Sequence, residues 1–109
     1  MFNVTDVPTF ARTVTIMVPE DDGHREETLR VTYRVVPTDQ AAPINLNDGE
    51  SVRQFLEIAI VRFDDLVDTN KNPVPYSDEI RARVLLMPHA RAPLVGEYIA
   101  AVSKAKLGN

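Results

Sequence analysis

The chain has no cysteine. That excludes disulfides, a thiolate nucleophile and any cysteine-based zinc site, so packing alone must hold the fold. Glycine is scarce: the four residues at 23, 49, 96 and 108 form no phosphate-cradling loop. Histidine is scarcer still. His24 lies in a turn region and His89 follows Pro88 between helices, and nothing in the sequence brings them together. Both read as solvated loop residues. Excess positive charge is also missing. Twelve Lys and Arg against sixteen Asp and Glu leave a net charge of −4, a poor basis for holding a phosphate backbone. No apolar run approaches the length of a bilayer, and MFNVTDVPTFARTV, broken by Asp6 and Pro8, lacks the basic-then-apolar order of a secretory leader. These absences point to a soluble intracellular protein. The 109 residues, 44% hydrophobic, suffice for a single domain with a modest core.

The two halves of the chain have different periods. Val14, Ile16 and Val18 alternate with Thr13 and Thr15; Leu29, Val31, Tyr33 and Val35 alternate with Thr28, Arg30, Thr32 and Arg34. A period of two with β-branched residues predicts two half-buried strands. PEDDGHRE between them carries the turn signal Asp22-Gly23, so residues 10–36 are expected to form an antiparallel hairpin with a longer loop. Residues 37–50 form a connector rich in Pro, Asn and Asp, and residues 51–106 a helical part. Val52, Phe55, Leu56, Ala59, Ile60 and Phe63 fall on one helical face. Ser51 with Gln54 fits a capping box, and Asp48 is a rival N-cap. VRFDDLV either ends that helix or forms a short third strand, with Ile60, Val61, Phe63, Leu66 and Val67 favouring the strand.

Ser77 suits the N-cap of a second helix over 78–87, where Glu79 and Arg83 can pair and Pro88 is the stop. A third helix is expected over 90–105, with Pro93 in its first turn and Leu94, Val95, Tyr98, Ile99 and Val102 as its buried stripe. Lys104 and Lys106 sit near its negative end. Phe2, Phe10, Phe55, Phe63, Tyr33, Tyr76 and Tyr98 are expected in or beside the core. A hairpin with one apolar face and helices with apolar stripes bury each other best as two layers. The fold class is α+β: an N-terminal antiparallel hairpin, with room for a third short strand, packed on a C-terminal cluster of three helices.

Candidate chemistry is thin. Asp68, Asn70, Asn72 and Glu79 occupy positions 1, 3, 5 and 12 of an EF-hand-like window, which raises a calcium-binding module as one reading. Position 6 of such a loop needs φ above zero, however, and here it is Pro73, whose ring fixes φ near −65°. The plainer reading is a polar turn of Asx type leading into an N-capped helix. No basic or nucleophilic partner travels with Asp64-Asp65, which reads as a solvated turn, and Glu20-Asp21-Asp22 reads as a solvated cluster of loop charge. No catalytic, cofactor-binding or metal-ligating residue is assigned, and the chain reads as a non-enzyme.

The C-terminal half carries a more specific pattern. Phe63 is followed by an acidic turn from Asp68 to Pro73, then Pro75-Tyr76-Ser77-Asp78-Glu79, then Pro88 through Tyr98. This order resembles the tail assembly chaperones of long-tailed, non-contractile bacteriophages and their prophages. Asn72 stands where Gly is commoner in that family, Phe63 where Trp is common, and Pro93 breaks into the last helix. The resemblance implies a non-enzymatic protein without cofactors. Such a protein holds the phage tape-measure protein soluble while tail-tube subunits polymerise around it, in the cytoplasm of the bacterial host, and is absent from the mature virion. A client-binding groove is then expected along Phe63, Leu66, Val67, Tyr76, Leu94 and Tyr98. A structural tail completion or connector protein retained in the virion is the rival expectation. Neither a nucleic acid nor a membrane is an expected partner, and self-association is left open.

Overall fold

The alternation in the first third of the chain becomes a ribbon. In the computed structural model, which describes residues 1–40 and 44–103, β1 (Thr9–Glu20) and β2 (Gly23–Arg34) run antiparallel from the pair Thr9–Arg34 to the pair Glu20–Gly23. The connection is a two-residue turn, Asp21–Asp22, rather than the expected longer loop. Pairing extends through Pro19 because β1 is an edge strand, where a missing N–H can face away from the ladder. Gly23 accepts the sharp exit with φ of 157°, a conformation that side chains disfavour. His24 thus lies in β2 opposite Pro19, not in a loop.

The first helical signal is divided between two elements. Helix α1 (Gly49–Ala59) buries Val52, Phe55, Leu56 and Ala59. It stops there, and Ile60 and Phe63 belong to β3 (Ile60–Asp64), which pairs antiparallel with β2 to give the order β1-β2-β3. Two inward residues three apart break strand alternation. The register shift at Thr32/Tyr33 removes the conflict: Phe63 pairs with Val31 and Ile60 with Tyr33, leaving Val61 as the extra residue of a bulge. Asp48, not Ser51, is the N-cap of α1, its carboxylate accepting from Glu50 N at 3.2 Å. The Ser51 hydroxyl instead accepts from Asn45 N at 3.3 Å, and Gln54 turns to Glu50, so no capping box forms.

After β3, Asp65 takes φ of 61° and the chain makes a small tongue, β4 (Leu66–Val67) paired with β5 (Pro73–Val74). Helix α2 (Asp78–Leu85) starts at Ser77, whose hydroxyl accepts from Ile80 N at 3.2 Å. Glu79 and Arg83 approach to 3.9 Å across one turn, as expected. Helix α3 (Pro88–Ser103) starts earlier than expected, which takes His89 into its first turn and leaves Pro93 in its second. Pro93 gives up the bond to the His89 carbonyl, and the neighbouring packing outweighs that loss. Lys104 and Lys106 lie outside the described residues.

One core joins both halves. Val31, Tyr33, Leu56, Ile60, Phe63, Leu85 and Leu94 are its largest fully buried side chains, drawn from β2, α1, β3, α2 and α3. The architecture is α+β, an antiparallel sheet with helices over one face. Two expected core positions are not there. Phe2 is 89% exposed on the N-terminal arm, and Val102 is 43% exposed near the end of α3. Among the described helices, none is long and apolar enough to cross a membrane.

Arg81 ties the layers together, and nothing in the sequence marked it. From α2 its guanidinium donates to the Ile60 carbonyl at 2.6 Å and to the Tyr76 hydroxyl at 3.2 Å, and it reaches both the carbonyl and the carboxylate of Glu57. It therefore satisfies carbonyls left over at the end of α1, where a cation also suits the helix dipole. Replacing Arg81 by Met keeps the aliphatic stem but strands those carbonyls. We expect a loss of about 1.5–3 kcal/mol in urea unfolding.

Candidate functional site

The six residues expected to line a groove divide into two groups. Phe63, Leu94 and Tyr98 are interior, at 0%, 0% and 5% exposure. Leu66 and Tyr76 are half-buried and Val67 is exposed. Phe63 meets Tyr76 edge-on, with ring centroids 6.2 Å apart, beneath the tongue. Tyr98 lies elsewhere, among Phe10, Tyr33 and Phe55, at centroid distances of 6.1, 5.8 and 4.9 Å. No continuous surface joins the two groups, because the face of α3 that carries Leu94 and Tyr98 is the one pressed onto the sheet.

That face is closed by two buried phenols. The Tyr33 hydroxyl donates to the Leu94 carbonyl at 2.8 Å, and the Tyr98 hydroxyl accepts from Val36 N at 2.9 Å. Burial, reinforced by the Glu97 carboxylate, holds the Tyr33 hydroxyl well above its ordinary value of 10. The folded state thus prefers the neutral phenol. This contribution is complete below pH 10 and is lost as pH climbs from there toward the raised folded value. The melting temperature of the wild type is expected to fall above pH 10, and more steeply than that of Tyr33→Phe. Parallel curves would contradict the assignment.

The open apolar surface lies on the adjacent flank of α3. Val52 of α1 and Val95 and Ile99 of α3 form the floor of a groove of about 370 Å³, with Leu46, Pro88 and Ala92 along its sides. These α3 positions, 88, 92, 95 and 99, follow helical spacing. Gly96 also lines the groove, and a Cβ placed there would meet nothing within 4 Å. Arg91 is the one charged residue among its described lining residues and donates to the Gly49 carbonyl at 3.2 Å, fixing the start of α1 against α3. Sequence reasoning found Val95 and Ile99 but assigned them wholly to the core. The signal it missed was composition: α3 has two Asp, Glu, Lys or Arg residues in sixteen, Arg91 and Glu97, too few for a helix with a solvated side. Yet Ala92, Gly96 and Ala100 are exposed.

The acidic stretch at 68–79 is a turn built on itself. Asp68 Oδ1 accepts from Asn70 N at 2.8 Å and from Asn72 N at 3.0 Å. Asp68 N donates to the Asn72 carbonyl at 2.9 Å, and Lys71 takes φ of 66°. Pro73 is committed to the β5 pairing, and Glu79 belongs to the first turn of α2. Among the described residues no three acidic, histidine or cysteine side chains converge as a metal site. Asp68→Ala is expected to cost about 1–2 kcal/mol of stability through its two lost bonds. Calorimetry with calcium is expected to register no heat for either form.

The remaining charge is distributed on the surface. Arg62 pairs with Asp64 at 2.9 Å, and Arg25 pairs with Glu20 at 3.0 Å and Glu27 at 2.7 Å. His89 is half-buried and His24 exposed. Comparison of the chain with protein-family models, with curated proteins and with solved structures finds no match in any of the three.

Proposed function

We propose that this protein is a tail assembly chaperone of a long-tailed, non-contractile phage or prophage, acting by binding and without a catalytic step. The supporting observation is the apolar flank of α3, which no other described residue covers. A groove floored by Val52, Val95 and Ile99 suits the apolar face of an amphipathic helix, which presents anchors at the same spacing. Gly96 lets a helix backbone come close, and Arg91 offers one cation at the rim for an acidic side chain. The client is the tape-measure protein, a long helical rod whose apolar stripes need cover until tail-tube subunits enclose it. The chaperone works in the host cytoplasm and leaves before the virion is complete.

Co-expression tests this directly. The tape-measure protein, insoluble alone, is expected to appear in the soluble fraction and to co-purify with this chain. Unchanged precipitation would count against the reading. Mass spectrometry of purified particles separates it from a virion component: the chain is expected to be missing from them, and stoichiometric presence would favour a connector role.

A further inference from the structure

We infer that β1 is an assembly edge, and that it pairs antiparallel with β1 of a second copy about a two-fold axis at Ile16. The strand stands at the edge of the three-stranded sheet and runs for twelve residues. Natural edges of that length are guarded by lysines, prolines or bulges. Here the solvent face reads Thr9, Ala11, Thr13, Thr15 and Met17, with no charge, and Met17 is 45% exposed. Proline enters only at Pro19. β3 reaches β2 only between Arg30 and Tyr33, so among the described residues the outer half of the ribbon, from Thr15 to Thr28, is two strands with no third beside them. An isolated two-stranded ribbon is marginal in water, and an added strand would support it.

The charges choose the occupant and the register. β1 contains two charged residues, Arg12 and Glu20, of opposite sign and equally far from Ile16. Antiparallel self-pairing about Ile16 therefore sets Arg12 of each copy against Glu20 of the other. Val14 then faces Val18 on the same side of the sheet, and Thr15 faces Met17 on the other. Shifting the register by two residues one way sets Arg12 against Val18, and shifting it the other way sets Glu20 against Val14 and carries Arg12 past the end of the partner strand. Glu20 and Glu27 share the single cation Arg25, so this corner has a charge to spare for the incoming Arg12. Arg12 meets Glu97 at 3.9 Å and lies 5.7 Å from the Phe10 ring centre in its own copy; it stays about half exposed, so the bridge to Glu20 exchanges or shares a weak surface pair. The product is a six-stranded sheet with both helical layers on one face, and it leaves the α1–α3 groove open. It stands independently of the proposed client.

Sedimentation of the full-length chain from about 1 to 500 μM is expected to show a monomer–dimer equilibrium. Arg12→Glu and Glu20→Arg each oppose like charges across the axis twice, and each is expected to raise the dissociation constant about tenfold. The double exchange, Arg12→Glu with Glu20→Arg, is expected to restore it to within about threefold. Met17→Lys, which puts a charge on the bare face, is expected to weaken the dimer as well, and circular dichroism checks that every variant remains folded. A monomer at all concentrations would overturn the inference. So would a dimer indifferent to the single reversals, or one that the double exchange fails to restore.

Discussion

Tyr98→Ala is expected to cost the fold about 3–5 kcal/mol, the usual range for removing a buried aromatic ring, and so to lower the melting temperature by about 10 °C or more. The ring occupies the place where both layers meet. It touches Phe10 on β1, Tyr33 on β2 and Phe55 on α1, and its removal leaves three aromatic neighbours facing a void. The hydroxyl is a separate contribution. Tyr98→Phe keeps the ring but leaves the buried Val36 N–H without its acceptor, at a cost of about 1–3 kcal/mol. Val36 lies two residues past the end of β2, so this bond turns the chain from the sheet toward the connector. Denaturant unfolding of the two variants separates the terms. Equal losses would mean that the hydroxyl carries the whole effect and the packing little, contrary to the geometry. A loss below about 1 kcal/mol for Tyr98→Ala would remove Tyr98 from the core.

The layers were legible in the sequence because each is a local pattern. Strict alternation at Val14–Val18 and Leu29–Tyr33 marked the strands, and Ser77 marked a helix start through chemistry contained within four residues. The failures are of another kind. Ile60 and Phe63 fit a helical face as well as they fit a bulged strand, and only the partner strand, through Val31 and Tyr33, decides between them. Arg81 reaches back 21 residues to Ile60 and 24 to Glu57, and no local rule registers such a bond. The candidate site was half legible for the same reason. The stripe of α3 was found, but an apolar residue looks the same in sequence whether it points into the sheet, as Leu94 does, or beside α1, as Val95 does. Which flank stays open depends on where the other helices come to rest.

Closing that flank should abolish client binding while leaving the fold intact. Ala92 and Gly96 line the groove and are both exposed. Ala92→Glu puts an unpaired carboxylate against a surface meant for apolar side chains. Gly96→Leu fills the groove, and its Cβ enters without a clash, because nothing lies within 4 Å of that position. Helix propensity even favours leucine over glycine by up to about 1 kcal/mol, so Gly96→Leu is expected to be at least as stable as the wild type. Binding should behave oppositely. Central apolar contacts typically carry about 2 kcal/mol or more each, so either change is expected to weaken capture of the tape-measure protein about thirtyfold, read as loss of the co-purifying band at unchanged melting temperature. Thr28→Glu, on the solvent side of the ribbon, supplies the control and should retain the client. The outcome hinges on dissociating two properties that core mutations always move together. If Gly96→Leu held its stability and still kept the client soluble, the groove between α1 and α3 would not be the binding surface. Attention would then pass to the accessible tongue residues Leu66, Val67 and Tyr76. If it lost the client while Thr28→Glu kept it, the bare flank of α3 would have its explanation.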